Sequence, residues 1–214
     1  MSLMSSLSRA TLGGVGRALV PLALGVALVA STAWAQNATV RVRGTIERVE
    51  DGVYIVKSRD GAELKLKLAA GGGVVAVVPA KLADIKQGKY IGVTGMPMAD
   101  GSQKAIGIHI FLDAQRGLAE GHQPWDREPN STMTNANVEA TVASAQGQVL
   151  TLKYKDGEKK IVVPDGTPIV AYAPGDASDM KPGAKIFVGG AKKLPDGTLE
   201  TGRVAVSKGA APPM

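Results

Sequence analysis

Two stretches of this chain match when one is slid about 96 positions along the other, and that self-match constrains the fold more than any other feature. Val53-Tyr54-Ile55-Val56-Lys57-Ser58-Arg59-Asp60-Gly61 lies over Val149-Leu150-Thr151-Leu152-Lys153-Tyr154-Lys155-Asp156-Gly157. Asp84-Ile85-Lys86-Gln87-Gly88 lies over Asp179-Met180-Lys181-Pro182-Gly183, and Ala99-Asp100-Gly101 over Pro195-Asp196-Gly197. Agreement at separated turns with a nearly constant offset reads as a tandem duplication, with copies at 36–111 and 138–214 joined by a linker at 112–137.

Within each copy the hydrophobic period is two. Val40, Val42 and Ile46 alternate with Arg41, Arg43, Thr45 and Glu47, and Leu64, Leu66 and Leu68 alternate with Lys65 and Lys67. Such alternation marks half-buried antiparallel strands. Asp51-Gly52, Asp60-Gly61, Asp100-Gly101, Asp156-Gly157 and Asp196-Gly197 supply the residues that tight hairpins need. A helical turn is predicted at Ala80 to Lys86, closed by Gly88 before the strand Tyr90-Ile91-Gly92-Val93. Three strands, a short helical turn and two strands is the order of a small OB-like barrel. The predicted fold is therefore all-β, two tandem OB-like antiparallel barrels with one short helical turn each, and an open sandwich of the same strands is the alternative. Aromatics make up only 4% of the chain, so branched aliphatics must fill the cores.

The N-terminus has a different character. Arg9 and Arg17, with no acid near them, precede an apolar run from Ala18 to Ala30, and Ala33-Trp34-Ala35 stands before Gln36. This is the order of a secretory signal peptide over residues 1–35, cleaved after Ala35, and it predicts a periplasmic protein. The apolar run is shorter than a bilayer span requires, and no later stretch approaches that length, so no transmembrane segment is expected in the mature chain. The chain has no cysteine, which excludes disulfides, iron–sulfur clusters, cysteine-ligated zinc and a thiol nucleophile. Net charge is +6, or +4 without the leader's two arginines. That surplus comes with no basic run and no aromatic platform, so nucleic acid is not an expected partner.

The strand and turn pattern around Ala83-Asp84-Ile85-Lys86-Gln87-Gly88 and Asp179-Met180-Lys181-Pro182-Gly183 resembles a family of small secreted bacterial β-barrel domains of unknown function. Through Arg116-Gly117, Glu120-Gly121-His122, Pro124-Trp125-Asp126, Ser131-Thr132-Met133-Thr134-Asn135-Ala136 and Pro212-Pro213-Met214, the whole chain after the leader is also similar to a group of uncharacterised exported proteobacterial proteins, some labelled as metal-transporter permeases. A permease needs several spanning helices, which this sequence does not encode. The resemblance implies an exported β protein with a link to metals.

The linker holds Asp113, Glu120, Asp126 and Glu128 against Arg116 and Arg127, so it is acidic between two basic copies. It also carries His122 and Trp125. His122 with Glu120 or Asp126, and with His109 delivered by the last strand of the first copy, is the candidate divalent-metal site, since imidazole with carboxylate suits Zn²⁺ or Cu²⁺. Met96, Met98 and Met133 are candidate thioether ligands for Cu(I), or core fillers. Trp125 is read as a plug between the barrels, with Asp126 capping a turn or pairing with a lysine. No nucleophile elbow, zincin motif or phosphate loop is present, and Gly71-Gly72-Gly73 precedes a strand rather than a helix, so it reads as a loop. The expectation is a non-enzymatic binding or accessory protein, handling a divalent metal, copper or a small ligand. The alternatives are a module contacting an envelope protein or polymer and, further off, a hydrolase using Glu120 and Asp126.

Overall fold

The computed structural model describes residues 39–144 and 147–212. The signal peptide predicted at 1–35 lies outside the described residues. Strands β1 (Val40–Glu50), β2 (Val53–Ser58), β3 (Glu63–Pro79), β4 (Tyr90–Pro97), β5 (Gln103–Ile110) and β6 (Gly121–Pro124) are followed by β7 (Thr132–Ser144), β8 (Gly147–Tyr154), β9 (Gly157–Val163), β10 (Ile169–Pro174), β11 (Lys185–Lys193) and β12 (Leu199–Ser207). Three single turns of 3-10 helix stand between strands, at Leu82–Asp84, Asp113–Gln115 and Ala177–Asp179. Among the described residues the protein is all-β.

Five strands close on themselves. The ring runs β1-β2-β3-β12-β11 and back to β1; its β3–β12 contact is parallel and the other pairs are antiparallel. A second ring runs β7-β8-β9-β5-β4 and back to β7, closed by a short parallel contact in which Gln103 faces Ile161 and Lys104 faces Val162. β10 joins the rings, lying antiparallel to the end of β3 and parallel to β5. Each ring thus draws strands from both sides of the linker: β3 meets β12 rather than β5. This differs from one barrel per segment at 36–111 and 138–214. Local alternation makes an edge sticky toward any strand of matching pattern, and only the tertiary pairing chooses the partner.

The elements follow from residue chemistry. In β1 the buried residues are Val42 and Ile46, and two register shifts bend the strand so that it serves both β2 and β11. At the β1–β2 turn Asp51 and Gly52 both have positive φ, 48° and 78°, as a two-residue hairpin of matching twist demands. The helical turn predicted at Ala80 to Lys86 is present as the shorter Leu82–Asp84, where the Asp84 carboxylate accepts the Lys81 backbone N–H at 2.9 Å. Gly71-Gly72-Gly73, predicted as a loop, falls inside β3. There the β3–β12 register jumps from Thr201 opposite Leu68 to Arg203 opposite Gly73, so residues 69–72 bow out of the pairing.

Three apolar clusters result. Val42, Ile46, Leu66, Val188 and Val204 fill the first ring; Ile91, Ile108, Leu150, Leu152 and Ile161 fill the second. Each of these side chains stabilises the fold by about 1.5–3 kcal/mol through leaving water. A third cluster, with Val75, Val77, Met133, Val170, Phe187 and Ala205, lies at the junction, and Trp125 and Tyr172 pack against it. No described helix is long and apolar enough to cross a membrane.

Candidate functional site

The junction holds a cavity of about 510 Å³, bounded by residues of both rings, of β6 and of β10. Its position follows from the strand period: β5 ends in Ile108-His109-Ile110 and the chain continues into Phe111, so His109 and Phe111 line the cavity while Ile108 and Ile110 face the second ring's core. β7 adds Met133 and Asn135 to the wall, β10 adds Tyr172, β11 adds Phe187, and β12 adds Arg203 and Ala205. The chain contains eight Trp, Tyr and Phe residues in all, and Phe111, Trp125, Tyr172 and Phe187 line this one cavity. Scarce aromatics are concentrated where the aliphatic cores stop.

The rings touch in series. His109 meets Phe111 edge-on at 4.5 Å between centroids and Tyr172 at 5.2 Å, and Phe111 meets Tyr172 edge-on at 5.6 Å. These are the separations that aromatic quadrupoles favour. On the far side Trp125 lies 6.4 Å from Phe187, and the Arg41 guanidinium stands 4.0 Å above the indole centroid.

His109 is 2% exposed, and burial pushes its imidazole pKa down to about 3, so it is neutral at any physiological pH. Its Nδ1 has no hydrogen-bond partner in the protein. The same is true of Asn135 Oδ1 and Trp125 Nε1. Asn135 is oriented by its other end, since Nδ2 donates to the carbonyls of Leu118 and Ala119 at 3.4 and 3.1 Å. Three of the four buried side-chain atoms without a partner, among the described residues, therefore belong to the wall of one cavity. Each such atom costs about 1–3 kcal/mol, a burden folded proteins rarely carry without cause.

Gly92 makes room for this arrangement. It faces His109 on β5 and Asn135 on β7, and a Cβ placed on it would overlap the His109 ring and press on Asn135 Oδ1.

The candidate metal ligands do not converge. His122, half-buried on β6, shares a 2.8 Å hydrogen bond between its Nδ1 and Thr134 Oγ1, and it pairs with Thr134, whereas Met133 and Asn135 at the flanking positions line the cavity. Strand alternation thus turns His122 away from His109. Burial, then the nearby Lys159, holds the His122 pKa below its usual value. Glu120 accepts the Lys155 backbone N–H at 3.0 Å, at the β8–β9 turn. Asp126 accepts both guanidinium nitrogens of Arg43, at 2.7 and 3.2 Å, with Arg41 at 3.7 Å, and the Arg43 bond leads in holding its carboxyl below the usual range. Its partners are arginines of β1 and not a lysine. Among the described residues no three His, Asp or Glu side chains gather as a metal site requires. Met96 and Met98 lie at the far end of β4, Met98 Sδ accepting from Ser102 Oγ at 3.4 Å, and only Met133 reaches the cavity.

Sequence reasoning singled out His109, Trp125 and Met133 but not Asn135, Tyr172, Arg41 or Arg203. Tyr172 carried a signal, as one of the few aromatics outside the repeated strands. Asn135 and the arginines carried none, because polar residues on alternating strands read as solvent-facing. Comparison with protein families, curated proteins and solved structures finds no match to this chain.

Proposed function

We propose that this protein is a non-enzymatic binding module that takes a small organic ligand in the junction cavity. The observation that carries the reading is the wall itself: four aromatic side chains, and three residues whose buried polar atoms find no partner within the protein. Apolar surroundings with a few unpaired polar groups, in a volume of about 510 Å³, are the ordinary make-up of a small-molecule site. Binding is favoured over catalysis because no described carboxylate or hydroxyl bonds His109 Nδ1 as an acid–base pair would require. A fragment screen read by NMR on isotopically labelled protein tests it. Binders are expected to shift the Trp125 indole N–H, the His109 ring and the Asn135 amide together; hits that leave all three unmoved, or no hits, would refute it.

Two further readings belong with this proposal. The ring order, the parallel β3–β12 and β5–β9 contacts and the 3-10 turns before β4 and β11 support OB-like barrels from a duplicated unit, with the last two strands of the copies exchanged. The basic residues, apolar run and Ala33-Trp34-Ala35 of the leader support export to the periplasm. The intact mass of protein recovered from a periplasmic extract is expected to begin at Gln36, and full-length mass confined to membranes would overturn export.

A further inference from the structure

The charges around the cavity are of one sign. Arg41 and Arg203 are the charged residues of its lining besides the neutral His109, and no Asp or Glu belongs to the wall. Asp126, outside the lining, lies 3.7 Å from Arg41 but accepts hydrogen bonds from Arg43 at both carboxylate oxygens. Arg203 is exposed on β12, its backbone N–H bonded to Thr201 Oγ1, and no described carboxylate pairs with its guanidinium. Arg203 is nevertheless part of the cavity lining together with the half-buried Tyr172, so this exposed guanidinium sits where the aromatic wall opens to solvent.

Resting on the binding reading above, we propose that the ligand is a flat, apolar organic anion: its ring body lies among Phe111, Tyr172 and Trp125, and its carboxylate, or a group of like charge and shape, is held by Arg203 with Arg41 beside it. A guanidinium presents a planar fork matched to a carboxylate, and partial removal from water strengthens that pair. A cationic ligand fits poorly. It would meet two guanidiniums with no carboxylate in the wall, and Arg41 already covers a face of the Trp125 indole. An inorganic anion would gain nothing from the apolar surface that makes up most of the wall.

Calorimetry on the purified protein with 2-naphthoate, its neutral isostere 2-naphthamide and inorganic phosphate tests this. Naphthoate is expected to bind about tenfold more tightly than the amide, as one charge-assisted contact at a half-open mouth implies, and phosphate not to compete with it. Arg203→Gln should remove that tenfold preference, and Arg203→Lys should restore part of it. Equal binding of naphthoate and amide would overturn the anion inference while the binding reading stands. Competition by phosphate at equal concentration would likewise overturn it, since the mouth would then be a general anion trap. If neither aromatic compound binds, both readings fall.

Discussion

Acidification from pH 7 toward pH 4 is expected to destabilise this protein before its carboxylates begin to protonate. His109 has a folded pKa of about 3 against the 6.5 of an unfolded imidazole, because the junction buries the ring and offers no counter-charge. Between those two values the unfolded chain binds a proton that the folded chain refuses, so stability rises with pH across the window. The contribution is fully present above pH 6.5 and shrinks below it, with a slope approaching about 1.4 kcal/mol per pH unit. Its neighbours do not supply an alternative origin. Phe111, Gly92 and Asn135 do not titrate, and the Tyr172 phenol is pushed upward by burial. His122 is depressed as well and adds slope of the same sign. The depressed carboxylates, Asp126 among them, act only nearer pH 4. Urea unfolding at half-unit steps from pH 7.5 to 4.5 measures the effect, with His122→Gln to remove the second imidazole and His109→Gln to remove the first. A wild-type midpoint that stays constant between pH 7 and 5 would mean that His109 accepts a proton in the folded state.

Much of the architecture is legible because strand patterns are local. Val42 and Ile46 are buried while Arg41 and Arg43, on either side of Val42, are exposed and half-buried, as alternation predicts, and Asp51-Gly52 turns the chain where a positive-φ pair is needed. Strand partners are a different kind of information. Leu66 pairs with Leu199, across more than half the chain, and nothing in the alternation of β3 distinguishes the edge of β12 from that of β5. The hairpins Asp100-Gly101 and Asp196-Gly197 are near copies, so either could close either ring. β6 was hidden for another reason: Gly121-His122-Gln123-Pro124 has no hydrophobic period, and it is a strand only because β7 lies beside it.

The site was legible in part. The linker does return toward the face of β5 that carries His109, and it delivers Trp125 to the junction. Sequence cannot say on which face of a short, unpatterned strand a histidine lands. One step of register separates Thr134, which engages His122, from Asn135, which shares the cavity with His109. Asn135 and Arg203 become interesting only through what surrounds them, an unbonded amide oxygen in one case and a wall without carboxylates in the other. Those are properties of the closed rings and not of any window of residues.

The cost of keeping His109 and Asn135 side by side falls on Gly92, and Gly92→Ala is expected to destabilise the protein by about 1–3 kcal/mol or more. β4 runs between β5 and β7, so residue 92 is held from both sides, opposite His109 and opposite Asn135. A methyl group there would lie within the space of the imidazole. Its φ is not in the left-handed region, so the penalty is steric rather than conformational. Gly73→Ala is the matched control: that glycine also has an ordinary φ, and a Cβ on it meets nothing within 4 Å, so the change should be neutral or slightly stabilising. The double variant Gly92→Ala with His109→Ala separates overlap from a general intolerance of β4, because removing the ring relieves the two closest contacts of the new methyl and leaves only that with Asn135 Oδ1. Its destabilisation should fall short of the sum of the single effects by about 0.5–3 kcal/mol, the range found for residues in contact. Urea unfolding of the five proteins, wild type, Gly73→Ala, Gly92→Ala, His109→Ala and the double variant, supplies the numbers. Additive effects would mean that β4 resists a methyl for a reason other than the imidazole; a Gly92→Ala variant as stable as wild type would mean that the wall gives way easily, and a cavity with so yielding a wall would lose its claim to a preformed shape.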